Sequence, residues 1–277
     1  MNITSIEGRT IRKVTREEIS EKEDQLAVEE PLEIQISFLE NGKRIQKSVS
    51  ITMRTPGNDE ELAAGFLFTE GIIQSKEQFK TVNSSILDEN KVVVTLMDEE
   101  VPALKTLERN FYTTSSCGVC GKASIDAIKT VSIYNDLENN ILITRDILFN
   151  LPAQLQDQQS IFESTGGLHA SAVFDLKGNF IMLREDVGRH NALDKVIGSA
   201  FFNSQLPLNK TILLLSGRAS FELIQKANMA GIKIVAAIGA PSSLAVQLAE
   251  ECDMTLIGFL GKERFNIYSG WNRIKEL

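Results

Sequence analysis

Two cysteines stand at the spacing C-x-x-C in the stretch TTSSCGVCGKAS, as Cys117 and Cys120. Such a pair can bind zinc, cycle between thiols and a disulfide, or carry sulfur on one thiolate. A structural zinc site takes four protein ligands and a catalytic site three. The sequence has no second C-x-x-C, and the third cysteine, Cys252, lies near the end of a predicted helix. Zinc is therefore disfavoured, and we predict no metal site.

The surroundings of the pair leave several interpretations open. A thioredoxin-like redox pair follows a strand and opens a helix, whereas here a long polar loop precedes the motif. A sulfur-carrying thiolate needs an exposed thiol in a mobile loop, and Gly118 and Gly121 provide mobility. The adjacent Lys122 and the start of the following predicted helix favour the thiolate form. A glycine-rich loop without chemistry also fits, so these residues permit a sulfur carrier without selecting it.

Three polar stretches follow predicted buried strands, at the edge where ligands bind in open α/β sheets. They are SGRAS at 216–220, GAPSS at 239–243 and GFLGKERFN at 258–266. The first contains Ser216, Gly217 and Arg218, and the third adds Lys262 and Arg264. Glycine, hydroxyl groups, basic side chains and helix N-termini suit an anion such as phosphate. Ordinary helix capping explains the same residues equally well.

The densest group of polar residues is EDVGRHN at 185–191, between a predicted strand and a predicted helix. It contains Arg189 and His190, and Asn191 is a natural helix cap. The chain's other histidine, His169, follows the glycine pair at 166–167. A lone histidine is more often a structural residue, but both histidines stand at glycine-containing junctions rather than on apolar faces, which shifts the interpretation toward a hydrogen-bonding or acid–base role.

Composition limits the class of protein. The chain has 277 residues, 43% hydrophobic and 24% charged, with a net charge of −8. These values are ordinary for a soluble globular protein, and the acidic balance argues against broad nucleic-acid binding. The polar N-terminus lacks a signal-peptide core, and no apolar run approaches the length of a membrane span. We predict a cytoplasmic protein that does not bind membranes, with reduced thiols.

The elements that must position these residues divide into two predicted domains. Residues 1–108 are expected to form a smaller β-rich domain with one helix, after an irregular charged lead-in over 1–30. Alternation around Asn41-Gly42 predicts a hairpin, and a second hairpin is expected over 85–98. The single helix is expected to be capped by Asn58 or Asp59 and to end at Gly71.

Residues 109–277 are predicted to form an α/β domain that carries the C-x-x-C loop. A helix is expected over 122–131, another up to Gly166, and a hairpin over 171–186. Helices and strands then alternate to the C-terminus. The runs ILLL and IVAAI are apolar on both faces, as in central parallel strands. This order predicts right-handed crossovers and a sheet covered by helices on both sides.

The sequence resembles the FdhD family, which serves formate dehydrogenases. The matching stretches cover nearly the whole chain in the family's order and are much more specific than a lone C-x-x-C. They are EEPLEI at 29–34, TMRTPGNDEELAAGFLFTEGII at 52–73, SSCGVCG at 115–121, GGLHASAVF at 166–174, EDVGRHNALDKVIG at 185–198, SGRASFELIQKA at 216–227, GIKIVAAIGAPSSLAVQLAEE at 231–251 and TLIGFLGKERFNIYSG at 255–270.

The resemblance implies a sulfurtransferase with a cysteine persulfide intermediate. Family members take sulfur from a cysteine desulfurase and deliver it to the molybdenum bis-guanine-dinucleotide cofactor, a bound substrate, for apo-formate dehydrogenase. By position, Cys117 is the implied carrier and Cys120 its helper or alternative acceptor. The family's cofactor-binding stretch falls on Phe259, Leu260, Gly261, Lys262, Glu263 and Arg264. Arg189 and His190 are expected to shape the pocket.

The resemblance also implies a homodimer with a C-terminal three-layer domain like cytidine deaminases. True deaminases place H-x-E before P-C-x-x-C. Here the C-x-x-C comes first and Ala170 and Ser171 follow His169, so hydrolytic zinc chemistry is not expected. The alternative function is a non-catalytic chaperone that binds molybdenum cofactor, with purely structural cysteines.

Overall fold

The computed structural model describes residues 5–84, 89–102, 130–134 and 141–275. Cys117 and Cys120 lie outside these ranges, and so does most of the predicted helix over 122–131. The boundary between domains at residue 108 falls outside them as well. Expectations for those residues stay predictions.

The N-terminal residues form a hairpin, so the predicted irregular lead-in is wrong. Strand β1 (Ile6–Val14) pairs antiparallel with β2 (Ile19–Ala27), and most of their side chains are exposed. Arg12 stands directly opposite Glu21 across the two strands. Cross-strand pairs of opposite charge stabilise a sheet modestly. The prediction failed because this hairpin lacks the alternating apolar residues that reveal a half-buried strand.

A four-stranded sheet comes next, in the spatial order β4-β3-β6-β5. Its strands are β3 (Glu30–Glu40), β4 (Lys43–Arg54), β5 (Phe79–Ser84) and β6 (Lys91–Leu96). Asn41 and Gly42 both have positive φ, 51° and 73°, as a two-residue hairpin turn requires. The first predicted hairpin is thus confirmed. The second also forms, but its first strand precedes the predicted stretch.

Helix α1 (Asp59–Thr69) packs on this sheet and begins where the sequence predicts. Asn58 occupies the cap position, but its side chain makes no capping hydrogen bond. The start of the helix is fastened instead by Arg54, which donates to both carboxylate oxygens of Asp59 at 3.0 and 2.9 Å. Both side chains are buried. Paired charges of this geometry are tolerated in a core because each satisfies the other.

The second half of the chain builds a six-stranded sheet in the order β13-β12-β11-β10-β8-β9. The strands, with two short outlying ones, are β7 (Ile143–Thr144), β8 (His169–Asp175), β9 (Phe180–Asp186), β10 (Thr211–Leu215), β11 (Ile234–Ala237), β12 (Thr255–Gly258), β13 (Asn266–Ser269) and β14 (Ile274–Lys275). β10, β11 and β12 are parallel, as their apolar runs predict. β8, β9 and β13 pair antiparallel with their neighbours.

Helices cover both faces of this sheet, as predicted. The helices of this half of the chain are α2 (Arg145–Gln158), α3 (Ser160–Thr165), α4 (Arg189–Phe202), α5 (Phe221–Met229) and α6 (Ser243–Glu251). Alternate β10 residues face opposite layers: Ile212 and Leu214 share a core with α2, whereas Leu213 and Leu215 share one with α4 and α5. The second of these cores continues into the N-terminal sheet. The three layers are α/β/α; a specifically deaminase-like arrangement stays a prediction.

Helices α1 and α4 cross at two glycines, and this crossing joins the two sheets. A methyl group at Gly65 would lie 1.9 Å from the carbonyl oxygen of Asp194. A methyl group at Gly198 would lie 1.8 Å from that of Glu61. Such distances are far inside van der Waals contact, so only glycine allows the two backbones to approach this closely.

Among the residues that the structure describes, no helix is long and apolar enough to cross a membrane.

Candidate functional site at the strand ends

The loop after β10 is fastened to the beginning of β8. Ser216 donates its backbone N–H to the carbonyl of Ala170 at 3.0 Å, and its hydroxyl accepts from the N–H of Ala170 at 2.8 Å. Gly217 lies against the ring of His169, since a methyl group at Gly217 would be 3.3 Å from His169 Nδ1. Two of the predicted stretches, SGRAS and the His169 junction, therefore meet at one edge of the sheet.

The loops after the three parallel strands are stacked through backbone hydrogen bonds. Gly239 donates to Gly217 O at 3.0 Å, and Phe259 donates to Gly239 O at 3.1 Å. A methyl group at Gly239 would lie 3.0 Å from Gly217 O and from Arg218 Cγ, so a side chain there would separate the loops. This edge is the predicted ligand-binding edge of the sheet, and its three loops form one continuous surface.

Three helices begin at this same edge. Ser220 and Ser242 are the cap residues of α5 and α6, and Gly188 caps α4. β9 runs parallel to β10 because both pair antiparallel with β8, so α4 begins beside the ends of the parallel strands. The free N–H groups and positive dipole end of each helix favour an anion. Among these three helices, only α6 has a side-chain cap bond, from Ser242. The first N–H groups of α4 and α5 are therefore not occupied by a capping side chain and can bind a ligand.

Cationic and imidazole side chains converge on these helix starts. Burial lowers the pKa of His169, and the neighbouring Arg189 and His190 lower it further, while Asp186 acts in the opposite direction. Arg189 and His190 are therefore near enough to His169 for their charges to act on it. Arg189 Nε is buried and has no hydrogen-bond partner within the described ranges. An unpaired buried guanidinium N–H favours an acceptor supplied by a ligand.

Glu222, in the first turn of α5, is the site residue that sequence reasoning missed. Its carboxylate lies 2.9 Å from His190 Nε2, and the Ser220 hydroxyl is 3.4 Å from the same nitrogen. In the sequence, a glutamate in the first turn of a helix indicates only an ordinary interaction with the helix dipole. Nothing in the spacing shows that it meets a histidine on another helix.

The predicted stretch from Phe259 to Arg264 divides by exposure. Leu260 is buried in the core, so only its backbone can face a ligand, whereas Lys262, Glu263 and Arg264 are exposed. Phe259 is 45% exposed and has φ +53°, which is a strained conformation for a bulky residue. Strained backbone held by neighbours often marks a functional position.

Other predicted or competing sites are placed differently. Cys117 and Cys120 lie outside the described residues. Within those residues, no cluster of histidine, cysteine or carboxylate side chains could hold a metal ion. A polar groove of about 720 Å³ runs along β9 and the turn at 55–58, but none of the described site residues predicted from sequence lines it.

The lowered pKa of His169 predicts a pH-dependent contribution to stability. Because the unfolded chain binds the proton more tightly than the folded one, stability should fall as the pH drops below about 6.5, the ordinary value of histidine. Above that pH the residue is neutral in both states and the penalty is absent. We expect urea unfolding between pH 7.5 and 5.5 to show a steeper loss for the wild type than for His169→Gln. Parallel profiles for the two proteins would contradict this expectation.

Comparisons with known proteins show the family to which this chain belongs. The model of the FdhD/NarQ family matches residues 27–275. Proteins named sulfur carrier protein FdhD from Streptomyces coelicolor and Mycolicibacterium paratuberculosis are each 46% identical, over 97% and 99% of this chain and 95% and 100% of theirs. One from Picrophilus torridus is 46% identical over 91% of this chain and 92% of its own.

A solved structure has the same fold. It is a protein from Desulfotalea psychrophila assigned as a formate dehydrogenase accessory protein, 20% identical, with a TM-score of 0.73 over 98% of this chain and 100% of that one. The family model and the relatives together extend over nearly the full sequence, including the cysteine pair and the strand-end loops. The chain belongs to the FdhD/NarQ family.

Proposed function

We propose that this protein is a sulfurtransferase that carries persulfide sulfur from a cysteine desulfurase to the molybdenum bis-guanine-dinucleotide cofactor of formate dehydrogenase. The name of its relatives, sulfur carrier protein, supports the sulfur-carrying half. The observation that carries the cofactor half is the convergence of three helix N-termini with Arg189, Arg218 and two histidines at one sheet edge. Such an edge suits the phosphates of a dinucleotide.

The loading step is a sulfur exchange at Cys117. Its thiolate attacks the terminal sulfur of the desulfurase persulfide and forms a new S–S bond. The S–S bond of the desulfurase breaks, and its electron pair leaves on the desulfurase cysteine as a thiolate. The hydrogen of the persulfide stays on the transferred sulfur, so the exchange needs neither oxidant nor reductant.

Delivery of the sulfur as sulfide needs two electrons, and Cys120 can supply them. Its thiolate attacks the inner sulfur of the Cys117 persulfide, forming a Cys117–Cys120 disulfide and releasing hydrosulfide for the molybdenum. The C-x-x-C spacing suits such a disulfide, and a cellular thiol reductant must return it to two thiols before the next transfer. This assigns separate tasks to the two cysteines: Cys117 loads sulfur, and Cys120 releases it.

Mass spectrometry tests the carrier role directly. Incubation with a cysteine desulfurase and cysteine should add about 32 Da, the mass of one sulfur, to a peptide containing Cys117. The adduct should disappear after treatment with a thiol reductant. If neither loop cysteine gains sulfur while the desulfurase is active, the carrier role is wrong.

Arg218 provides a test of the nucleotide half. Its side chain is exposed beside Gly239 on the stacked loops, so Arg218→Ala should leave the fold intact while removing a charged partner for phosphate. We expect the Kd for guanosine diphosphate to rise about tenfold, which corresponds to about 1.4 kcal/mol. Isothermal titration calorimetry measures it.

Lys177→Ala is the matched control. Lys177 is equally a surface cation, but it lies in the β8–β9 turn at the opposite end of the sheet. Loss of affinity in both variants would indicate a general effect of net charge rather than a phosphate contact.

A further inference from the structure

Asp186, the last residue of β9, lies at the junction between the N-terminal sheet and the helix that carries Arg189 and His190. It is fully buried, with 0% of its surface exposed. One carboxylate oxygen, Oδ1, accepts from the backbone N–H of Gly188 at 2.8 Å and from Asn191 Nδ2 at 3.1 Å. The other, Oδ2, accepts from the N–H of Thr55 at 3.2 Å and lies 2.7 Å from Lys195 Nζ.

Asn191 continues the same connection. Its amide nitrogen donates to Met53 O at 2.7 Å, and its amide oxygen accepts from the Thr52 hydroxyl at 3.1 Å. The sequence predicted Asn191 as the cap of α4, which is wrong, because Gly188 holds that position. The side chain of Asn191 therefore bonds to β4 of the N-terminal sheet instead of capping its own helix.

The remaining groups of the turn are held by the same strand end. The Thr55 hydroxyl accepts from the N–H of Val187 at 3.2 Å, and Lys195 donates to Thr55 O at 2.8 Å. The start of α4 is thereby bonded both to Asp186, at the end of β9 in its own sheet, and to residues 52–55 at the end of β4. Buried networks in which every member is satisfied hold one geometry firmly.

From these contacts we infer that Asp186 is a positioning residue: it fixes the first turn of α4 against residues 52–55, and so sets the positions of Arg189 and His190 beside the strand-end loops. The N-terminal sheet is then a structural part of the candidate site, because the end of β4 holds the start of α4. The test by nucleotide affinity rests on the proposed nucleotide-binding function. The positioning role itself rests on the hydrogen bonds described above.

The experiment compares two variants of this network with one control on the same helix. Asp186→Asn keeps the shape but removes the charge, and Asn191→Ala breaks the connection without changing any charge. The control is Asp194→Asn: Asp194 is also buried and paired with a lysine, Lys226 at 2.9 Å, but it lies beyond the first turn of α4. All three should be less stable than the wild type.

Guanosine diphosphate affinity separates the three variants. We expect its Kd to rise at least tenfold in Asp186→Asn and Asn191→Ala, and to stay within about twofold in Asp194→Asn, each measured on folded protein by calorimetry. Wild-type affinity in a folded Asp186→Asn or Asn191→Ala variant would overturn the inference. The inference would also be overturned if the control, Asp194→Asn, lost affinity in proportion to its loss of stability. If Asp186→Asn does not fold, Asn191→Ala decides.

A second readout does not depend on the ligand. The chain has two histidines, so the histidine Cε1–H signals in a proton–carbon NMR spectrum report on His169 and His190 alone. Both signals should move in the two network variants and stay in place in the control. If the wild type binds no guanosine diphosphate, the nucleotide half of the proposed function fails. Unmoved histidine signals in Asn191→Ala would then overturn the positioning role separately.

Discussion

Cys117→Ala should abolish the maturation of formate dehydrogenase, with activity falling to that of cells lacking this protein. The reason is chemical: alanine cannot form the S–S bond by which the sulfur atom is carried. The measurement is formate dehydrogenase activity in a deletion strain complemented with each variant, at matched protein levels. In the same variant, Cys120 should gain no sulfur, because Cys117 is the cysteine that loads it.

Two further cysteine variants make this result specific. Cys120→Ala should still acquire sulfur but fail to release it, since the electrons for release come from its thiolate. Cys252→Ala should behave as wild type, because Cys252 ends α6, half-buried against the core and away from the strand-end loops. Full maturation by a Cys117→Ala/Cys120→Ala double variant would instead favour the cofactor-binding chaperone.

Much of the fold follows from local patterns because burial on both faces leaves a clear signal. Residues 211–215 and 234–237 are apolar at every position but one, Thr211, and each forms a central parallel strand. The hairpin at Asn41-Gly42 was predictable since both residues tolerate positive φ. The hairpin of β1 and β2 was not, because its alternating residues are charged and its pairing relies on backbone hydrogen bonds.

The residues of the candidate site likewise divide into those that local sequence patterns predict and those that they do not. Arg189, His190 and Arg218 could be predicted, because strand ends and helix starts in an α/β sheet meet at one edge. Glu222 and the role of Asn191 could not, because each acts through a partner far away in sequence. Asn191 bonds to Thr52 and Met53, residues on a strand of the other sheet. A single sequence contains no signal for such a pairing, and capping was the best local explanation.

The glycine crossing of α1 and α4 gives the largest expected effect on stability. Gly198→Ala has two opposing consequences. Alanine is about 1 kcal/mol more favourable than glycine inside a helix. Against this, its methyl group would stand 1.8 Å from Glu61 O, a backbone atom that no rotamer change can move. Overpacking typically costs up to about 3 kcal/mol, and a clash with backbone belongs at the upper end of that range.

The clash therefore wins, by about 2 kcal/mol, and the two helices must separate. For a protein of this size that loss lowers Tm by roughly 4–8 °C, measurable by thermal denaturation followed with circular dichroism. Gly8→Ala is the control, since a methyl group there meets nothing within 4 Å and the residue lies in the exposed hairpin. Its Tm should match the wild type. An unchanged Tm in Gly198→Ala would mean that the helices can part without loss, and that this crossing does not hold the two sheets together.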